Sequence, residues 1–144
     1  MNNKRTLHWP LIVGLAILAL VRPLTRIVTE QAGIELGPAV PIFLTVLVSA
    51  AWISIVGFSR NESPLLTLLL AGIAYAIFAI GLSGILSPVL NGELQGPLAN
   101  PIAIAPMLLL NAAWGLAAGA LAMLIQHLRR TQRRQQQGAT LSST

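Results

Sequence analysis

The sequence predicts an all-α integral membrane protein, a four-helix bundle with its N- and C-termini in the cytoplasm. Of its 144 residues, 55% are hydrophobic and only 9% are charged, and the mean hydropathy is +0.75. A soluble chain of this length needs more charged residues to cover its surface. The apolar residues also fall in four long runs instead of alternating with polar ones, which is typical of membrane spans.

The first predicted span covers residues 9–28 and carries a charged stripe. Arg22, Arg26 and Glu30 follow at intervals of four residues and therefore share one face of a helix. The apolar run before Arg22 is shorter than a hydrocarbon layer of about 30 Å requires. Pro23 also disfavours a regular helix at this point. Either the helix continues past a kink at Pro23 with its arginines facing the bundle interior, or it breaks there and the stripe lies along the outer interface.

Two roles are open for this stripe. The interpretation we favour is an anchor at the outer membrane surface, because arginine side chains near a helix end reach lipid phosphates easily. The alternative is a site for an anion or a lipid headgroup facing an inner cavity, and Arg22 is the residue we expect to point inward. Arg22, Arg26 and Glu30 are therefore the candidate ligand-binding or lipid-binding residues.

The other three spans are predicted from further apolar runs, over residues 39–58, 64–86 and 101–125. Proline opens the third and fourth spans, where its missing N–H costs little because the donors of a first helical turn are unpaired anyway. The short turn between the second and third spans requires antiparallel neighbours. Together the spans form a single domain, residues 1–128, and the basic, polar tail over 129–144 is predicted to be disordered and cytoplasmic.

Basic residues set the predicted orientation. Two of them, Arg22 and Arg26, fall on the predicted outer side. Seven fall on the other side, which the positive-inside rule makes cytoplasmic: Lys4, Arg5, Arg60, Arg129, Arg130, Arg133 and Arg134. We therefore expect a multi-pass protein of the plasma (inner) membrane. Because these charges cluster at span ends, we expect the tail to contact anionic lipid, and we expect no nucleic acid partner.

Polar and small residues inside the spans predict contacts between helices. Asn111 and Trp114 lie near the middle of the fourth span, and a buried amide should face a neighbouring helix that can accept its hydrogen bonds. Small residues four apart allow close approach of two helices. Such pairs occur in the third span and, as a G-x-x-x-G motif, in the fourth: Gly72 with Ala76, and Gly115 with Gly119.

The connection over residues 87–101 is the longest between spans and is rich in turn-forming residues. Asn91 and Glu93 are its candidate functional residues. Its apolar residues alternate with turn formers, so one possibility is that it folds back onto the bundle or dips into the interface. The alternative, which we slightly favour, is a plain connector.

No catalytic pattern appears in the sequence. The span interiors hold no Asp or Glu, the chain has no cysteine, and no phosphate-binding loop or metal-ligand spacing is present. We therefore expect neither an enzyme nor a cofactor or bound metal. Three functions stay open. The one we favour is a non-catalytic subunit, scaffold or partner in a larger membrane complex or homo-oligomer. The second is a small oligomeric transporter or channel with a polar path through Arg22, Arg26 and Asn111, and the third is a protein that binds anionic lipid.

Overall fold

A computed structural model describes residues 7–142, and 82% of these residues are helical. The helices are α1 (Trp9–Ala19), α2 (Val21–Gln31), α3 (Ala39–Phe58), α4 (Pro64–Asn91) and α5 (Ile104–Ser142), with a short 3-10 helix over Pro101–Ala103. Four stretches are long and apolar enough to cross a membrane, when α1 and α2 are taken together. The predicted all-α architecture of four spans is therefore confirmed. Lys4 and Arg5, which contribute to the predicted orientation, lie outside the described residues.

The first span is interrupted at Leu20, one turn before the proline at which the sequence predicts a kink or break. A proline cannot donate to the carbonyl four residues earlier, and its ring crowds that carbonyl. For Pro23 this carbonyl belongs to Ala19, so the disturbance appears at the end of α1. The Leu20 N–H donates to the oxygen of Ile17 at 3.0 Å, which is a tighter turn than an α-helix makes. Helix then resumes as α2 and continues to Gln31, beyond the predicted end of the span.

Helices α4 and α5 make the closest contact in the bundle through small residues. A Cβ on Gly72 would overlap the backbone oxygen of Asn111, and a Cβ on Gly115 would overlap that of Leu68. A Cβ on Gly119 would lie 2.8 Å from the Cα of Leu65. The two backbones therefore touch over about two turns of each helix. Ala76, from the predicted small-residue pair on α4, is fully buried.

The buried core joins α1 and α3 to this pair. Trp52 on α3 is only 2% exposed, and its indole N–H donates to the backbone oxygen of Leu15 on α1 at 2.9 Å. A tryptophan buried among apolar side chains needs such a partner for its N–H. Trp52 belongs to one buried cluster of apolar residues from α1, α3, α4 and α5, among them Ile12, Ala16, Val48, Leu68 and Ala118.

Two helices are longer than the sequence predicts. Helix α4 runs to Asn91 and includes Pro88, whereas the predicted span ends at residue 86. Helix α5 continues to Ser142, so the described part of the tail is helical, which differs from the predicted disorder. Its Arg, Gln and Leu residues are good helix formers, and no Gly or Pro interrupts it between Gly119 and Gly138.

Candidate functional site

One cavity lies at the end of the bundle that contains α2. We call this end the α2 end, and we call the opposite end, which contains the 59–63 turn, the turn end. The cavity has a volume of about 830 Å³ and is lined by the polar face of α2, the connection over 33–36, the start of α3 and Tyr75 of α4. We call it the α2 cleft. Its size is within the range of small-ligand sites in proteins.

The sequence of α2 explains why a cleft forms here. None of its eleven residues is buried, and its apolar residues, such as Leu24 and Val28, are exposed on the face opposite the polar one. The hydroxyls of Thr25 and Thr29 bond to carbonyl oxygens of their own helix, those of Val21 at 2.7 Å and Thr25 at 2.9 Å. Because α2 turns its polar face, and not its apolar one, toward the start of α3 and Tyr75, a polar cavity forms between them.

Arg22 is the distinctive residue of the α2 cleft. Its side chain is half-buried and lines the cavity wall. Arg26, one turn later, is much more exposed, and its Nε donates to Glu30 Oε1 at 2.7 Å. That ion pair is the only one among residues 7–139. Arg22 has neither an ion pair nor a hydrogen bond in that same range, so a positive charge faces the cleft without a counter-charge in contact.

Tyr75 and Glu35 also line the cleft, and neither is among the site residues predicted from the sequence. Tyr75 is 8% exposed and forms no hydrogen bond with the described residues. Every fully buried side-chain nitrogen or oxygen in that part of the chain has a partner, so the Tyr75 hydroxyl must be accessible from a cavity that this residue lines. The available signal was that Tyr75 is the only tyrosine of the chain and lies mid-span, where a hydroxyl needs a partner.

Glu35 gave a weaker signal, because a single acidic residue in a connection is usually solvated. In the structure it is exposed at the mouth of the α2 cleft and has no ion-pair partner within residues 7–139. The cleft therefore carries four charges. Arg26 and Glu30 neutralise each other, which leaves Arg22 and Glu35.

A second, smaller cavity of about 400 Å³ lies on the other side of α2, against α4 and the connection after it. The two cavities share Pro23, Arg26, Glu30 and Tyr75. Asn91 lines the second cavity, whereas Glu93 lines neither of the two. Polar groups are thus accessible along both sides of α2.

The connection after α4 folds back onto that helix, which is the alternative that the sequence analysis favoured less. The Gln95 N–H donates to Ser87 Oγ at 3.0 Å. Leu98 occupies the space beside Gly84 that a side chain there would fill. Gly96 has φ +82°, a backbone conformation open to glycine, and packs on Ser83. This connection forms a fixed wall of the second cavity.

Asn111 and Trp114 lie apart from both cavities. The Asn111 amide donates to the oxygen of Met107 in its own helix at 2.8 Å, and not to a neighbouring helix as the sequence analysis expects. The i−4 carbonyl is within reach of a short polar side chain in a helix, so the amide is satisfied locally. Trp114 makes the link between helices instead, because its indole N–H donates to Ser49 Oγ on α3 at 3.1 Å.

The turn end holds a polar cluster that sequence reasoning also missed. Gln126, 8% exposed, donates through Nε2 to the backbone oxygens of Val56 at 3.0 Å and of Asn61 at 3.2 Å. The Asn61 amide, buried as well, donates to Thr67 Oγ1 at 2.8 Å. The last carbonyls of a helix lack partners within it, and here a side chain of α5 supplies one for α3.

The chemistry available in the α2 cleft is that of binding. A guanidinium with five N–H donors and a phenol hydroxyl face one cavity, and both can donate to phosphate or carboxylate oxygens. The cleft lining includes no histidine or cysteine that could act as a base or nucleophile there.

No protein-family model matches the sequence, and no curated protein or solved structure matches it either.

Proposed function

We propose that this chain is a non-catalytic, multi-pass protein of the plasma (inner) membrane that binds the phosphate of a lipid headgroup in its α2 cleft. The observation that carries this proposal is Arg22, a half-buried cation without a partner among residues 7–139 in a cavity of about 830 Å³. A cation held away from bulk water without a counter-charge is unfavourable. A bound phosphate would supply that counter-charge.

The distribution of basic residues supports an outward-facing cleft. Arg22 and Arg26 are at the α2 end, whereas the remaining described arginines are at the turn end or on α5 beyond it: Arg60, Arg129, Arg130, Arg133 and Arg134. The positive-inside rule assigns the richer end to the cytoplasm. The α2 cleft would then lie at the level of the outer headgroups, where a phospholipid can enter it sideways from the bilayer.

A transport path through Arg22, Arg26 and Asn111 has less support. Asn111 lines neither cavity of the α2 end, and its amide is bonded within α5. The backbones of α4 and α5 are in contact at Gly72, Gly115 and Gly119, which leaves no space for a path between these two helices. A role as a partner in a larger complex has one observation in its favour. Beyond Gln126, α5 continues for sixteen residues to Ser142, and the residues described there are mostly exposed.

Native mass spectrometry of the full-length protein in detergent tests the lipid-binding proposal. The protein is offered phospholipids and, as a ligand control, diacylglycerol with the same acyl chains and no phosphate. We expect retained phospholipid but no retained diacylglycerol. Arg22→Gln should reduce bound phospholipid roughly tenfold, because one charge-assisted contact to phosphate is lost.

Arg133→Gln is the matched control, since Arg133 is an exposed arginine on α5 far from the cleft. It should retain phospholipid like the wild type. Arg26→Gln should have a smaller effect than Arg22→Gln, because Arg26 is already paired with Glu30. Equal retention by Arg22→Gln and Arg133→Gln would contradict the proposal.

A further inference from the structure

The charges left over in the α2 cleft restrict the kind of headgroup that it can bind. Once Arg26 and Glu30 are paired, Arg22 supplies one positive charge and Glu35 one negative charge. A ligand with a single negative charge would satisfy Arg22 and be repelled by Glu35. A ligand that carries both signs would satisfy both residues.

The chemistry of a carboxylate selects among such zwitterions. A primary ammonium has three N–H donors and can bond to a carboxylate directly, with the strength of a charge-assisted hydrogen bond. A quaternary ammonium has no N–H and is usually held by several aromatic rings. Among the described residues, Tyr75 is the only aromatic one that lines the α2 cleft, so they form no such cage there.

We infer that the α2 cleft binds a phosphoethanolamine group, with its phosphate on Arg22 and Tyr75 and its ammonium on Glu35. This inference rests on the proposed function and specifies its ligand. The same group occurs in membrane phosphatidylethanolamine and in soluble glycerophosphoethanolamine. The bilayer is the expected source, because the cleft opens beside apolar residues of α3 such as Leu44.

The test is a competition among three phospholipids with identical acyl chains: phosphatidylethanolamine, phosphatidylcholine and phosphatidylglycerol. Equal amounts are added to the full-length protein in detergent, and native mass spectrometry counts each bound lipid. All three carry the phosphate for Arg22 and differ in the group beyond it. We expect roughly tenfold more phosphatidylethanolamine than either competitor, which corresponds to one charge-assisted hydrogen bond.

Glu35→Gln should bring bound phosphatidylethanolamine and phosphatidylglycerol to within about twofold of each other, because the amide keeps the shape but removes the charge. Glu93→Gln is the matched control, since Glu93 is also exposed at the α2 end but lines neither cavity. It should keep the wild-type preference. A wild type without preference, or an unchanged preference in Glu35→Gln, would overturn the inference.

These outcomes separate the two proposals. If Arg22→Gln retains phospholipid like the wild type, the lipid-binding function itself fails. If Arg22→Gln loses phospholipid while Glu35→Gln still prefers phosphatidylethanolamine, only the assignment of the ammonium to Glu35 fails. Glycerophosphoethanolamine is added as a soluble competitor at the concentration of the lipid. No displacement supports the bilayer as the source, and full displacement would overturn that source while supporting the headgroup chemistry.

Discussion

The two ends of the bundle differ in how their polar side chains are used. At the turn end, Gln126 and Asn61 are buried and fully bonded to the backbone of α3 and to Thr67. At the α2 end, Arg22 and Tyr75 line an open cavity and bond to nothing in the described part of the chain. Polar groups at the first end hold helices together, whereas those at the second are free to bind something else.

The cause of this difference is the length of the connections. The turn over 59–63 brings the end of α3 directly against α4, so unpaired carbonyls must find partners nearby. Arg129 joins the same cluster, because it donates to the Gly57 oxygen at 3.3 Å and lies over the Phe58 ring at 4.8 Å. The α2 end has two long connections and an amphipathic helix, which leave room for a cavity.

The largest effect on stability is expected at the contact between α4 and α5, because the packing of both ends of the bundle depends on it. Gly115→Ala places a methyl group against the Leu68 backbone and should force α4 and α5 apart, at a cost of about 3 kcal/mol in the free energy of unfolding. Gly81→Ala, also on a span, meets no atom within 4 Å and should be neutral or slightly stabilising. Thermal unfolding in detergent measures both. Similar Tm values for the two variants would show that the close contact is absent.

A smaller effect is expected from breaking the turn end alone. Gln126→Leu leaves the backbone oxygens of Val56 and Asn61 without their side-chain donor and should cost about 2 kcal/mol. Gln132→Leu is the control, because Gln132 is exposed on the same helix. Chemical denaturation compares the two variants, and lipid binding should be unchanged in Gln132→Leu. Equal stability of both variants would contradict the structural role of Gln126.

The smallest effect on stability is expected at the α2 end. Arg22→Leu removes a cation that has no partner within residues 7–139, so the unfolding free energy without lipid should stay within about 0.5 kcal/mol of wild type or rise. The same denaturation experiment measures it. A loss comparable to that of Gln126→Leu would mean that Arg22 stabilises the fold, and the contrast between the two ends would disappear.

The four spans could be predicted from the sequence because hydrocarbon thickness alone requires long apolar runs. The position of the break in the first span was harder to predict from the sequence. Pro23 indicates that the helix is disturbed, but the disturbance appears nearly one turn earlier, at Leu20, because a proline affects the carbonyl four residues before it. The extent of α5 was missed because a polar, glutamine-rich composition favours disorder in isolation, whereas here a preceding helix propagates through it.

The charged residues of the candidate site could be predicted only in part. Arg22 was identified because a charge in an apolar run is rare. Tyr75 and Glu35 lie 53 and 13 residues after Arg22 in the sequence, and no local pattern connects them with it. Asn111 is the opposite case, a residue that was predicted to be important but whose amide has a different partner from the predicted one. Its position suggested a link between helices, but a local acceptor on its own helix was available.

The break at Leu20 has a mechanical consequence for the α2 cleft. The connection after α4 packs on that helix, with Leu98 beside Gly84, and the backbones of α4 and α5 are in contact, so these walls belong to the packed part of the bundle. Helix α2 buries none of its residues and joins α1 through an irregular turn. A rotation of α2 about that turn would expose little apolar surface and would therefore cost little free energy. The width of the cleft thus depends on torsion angles near Leu20, and under the lipid-binding proposal a change there would admit the ligand without unpacking α3, α4 and α5.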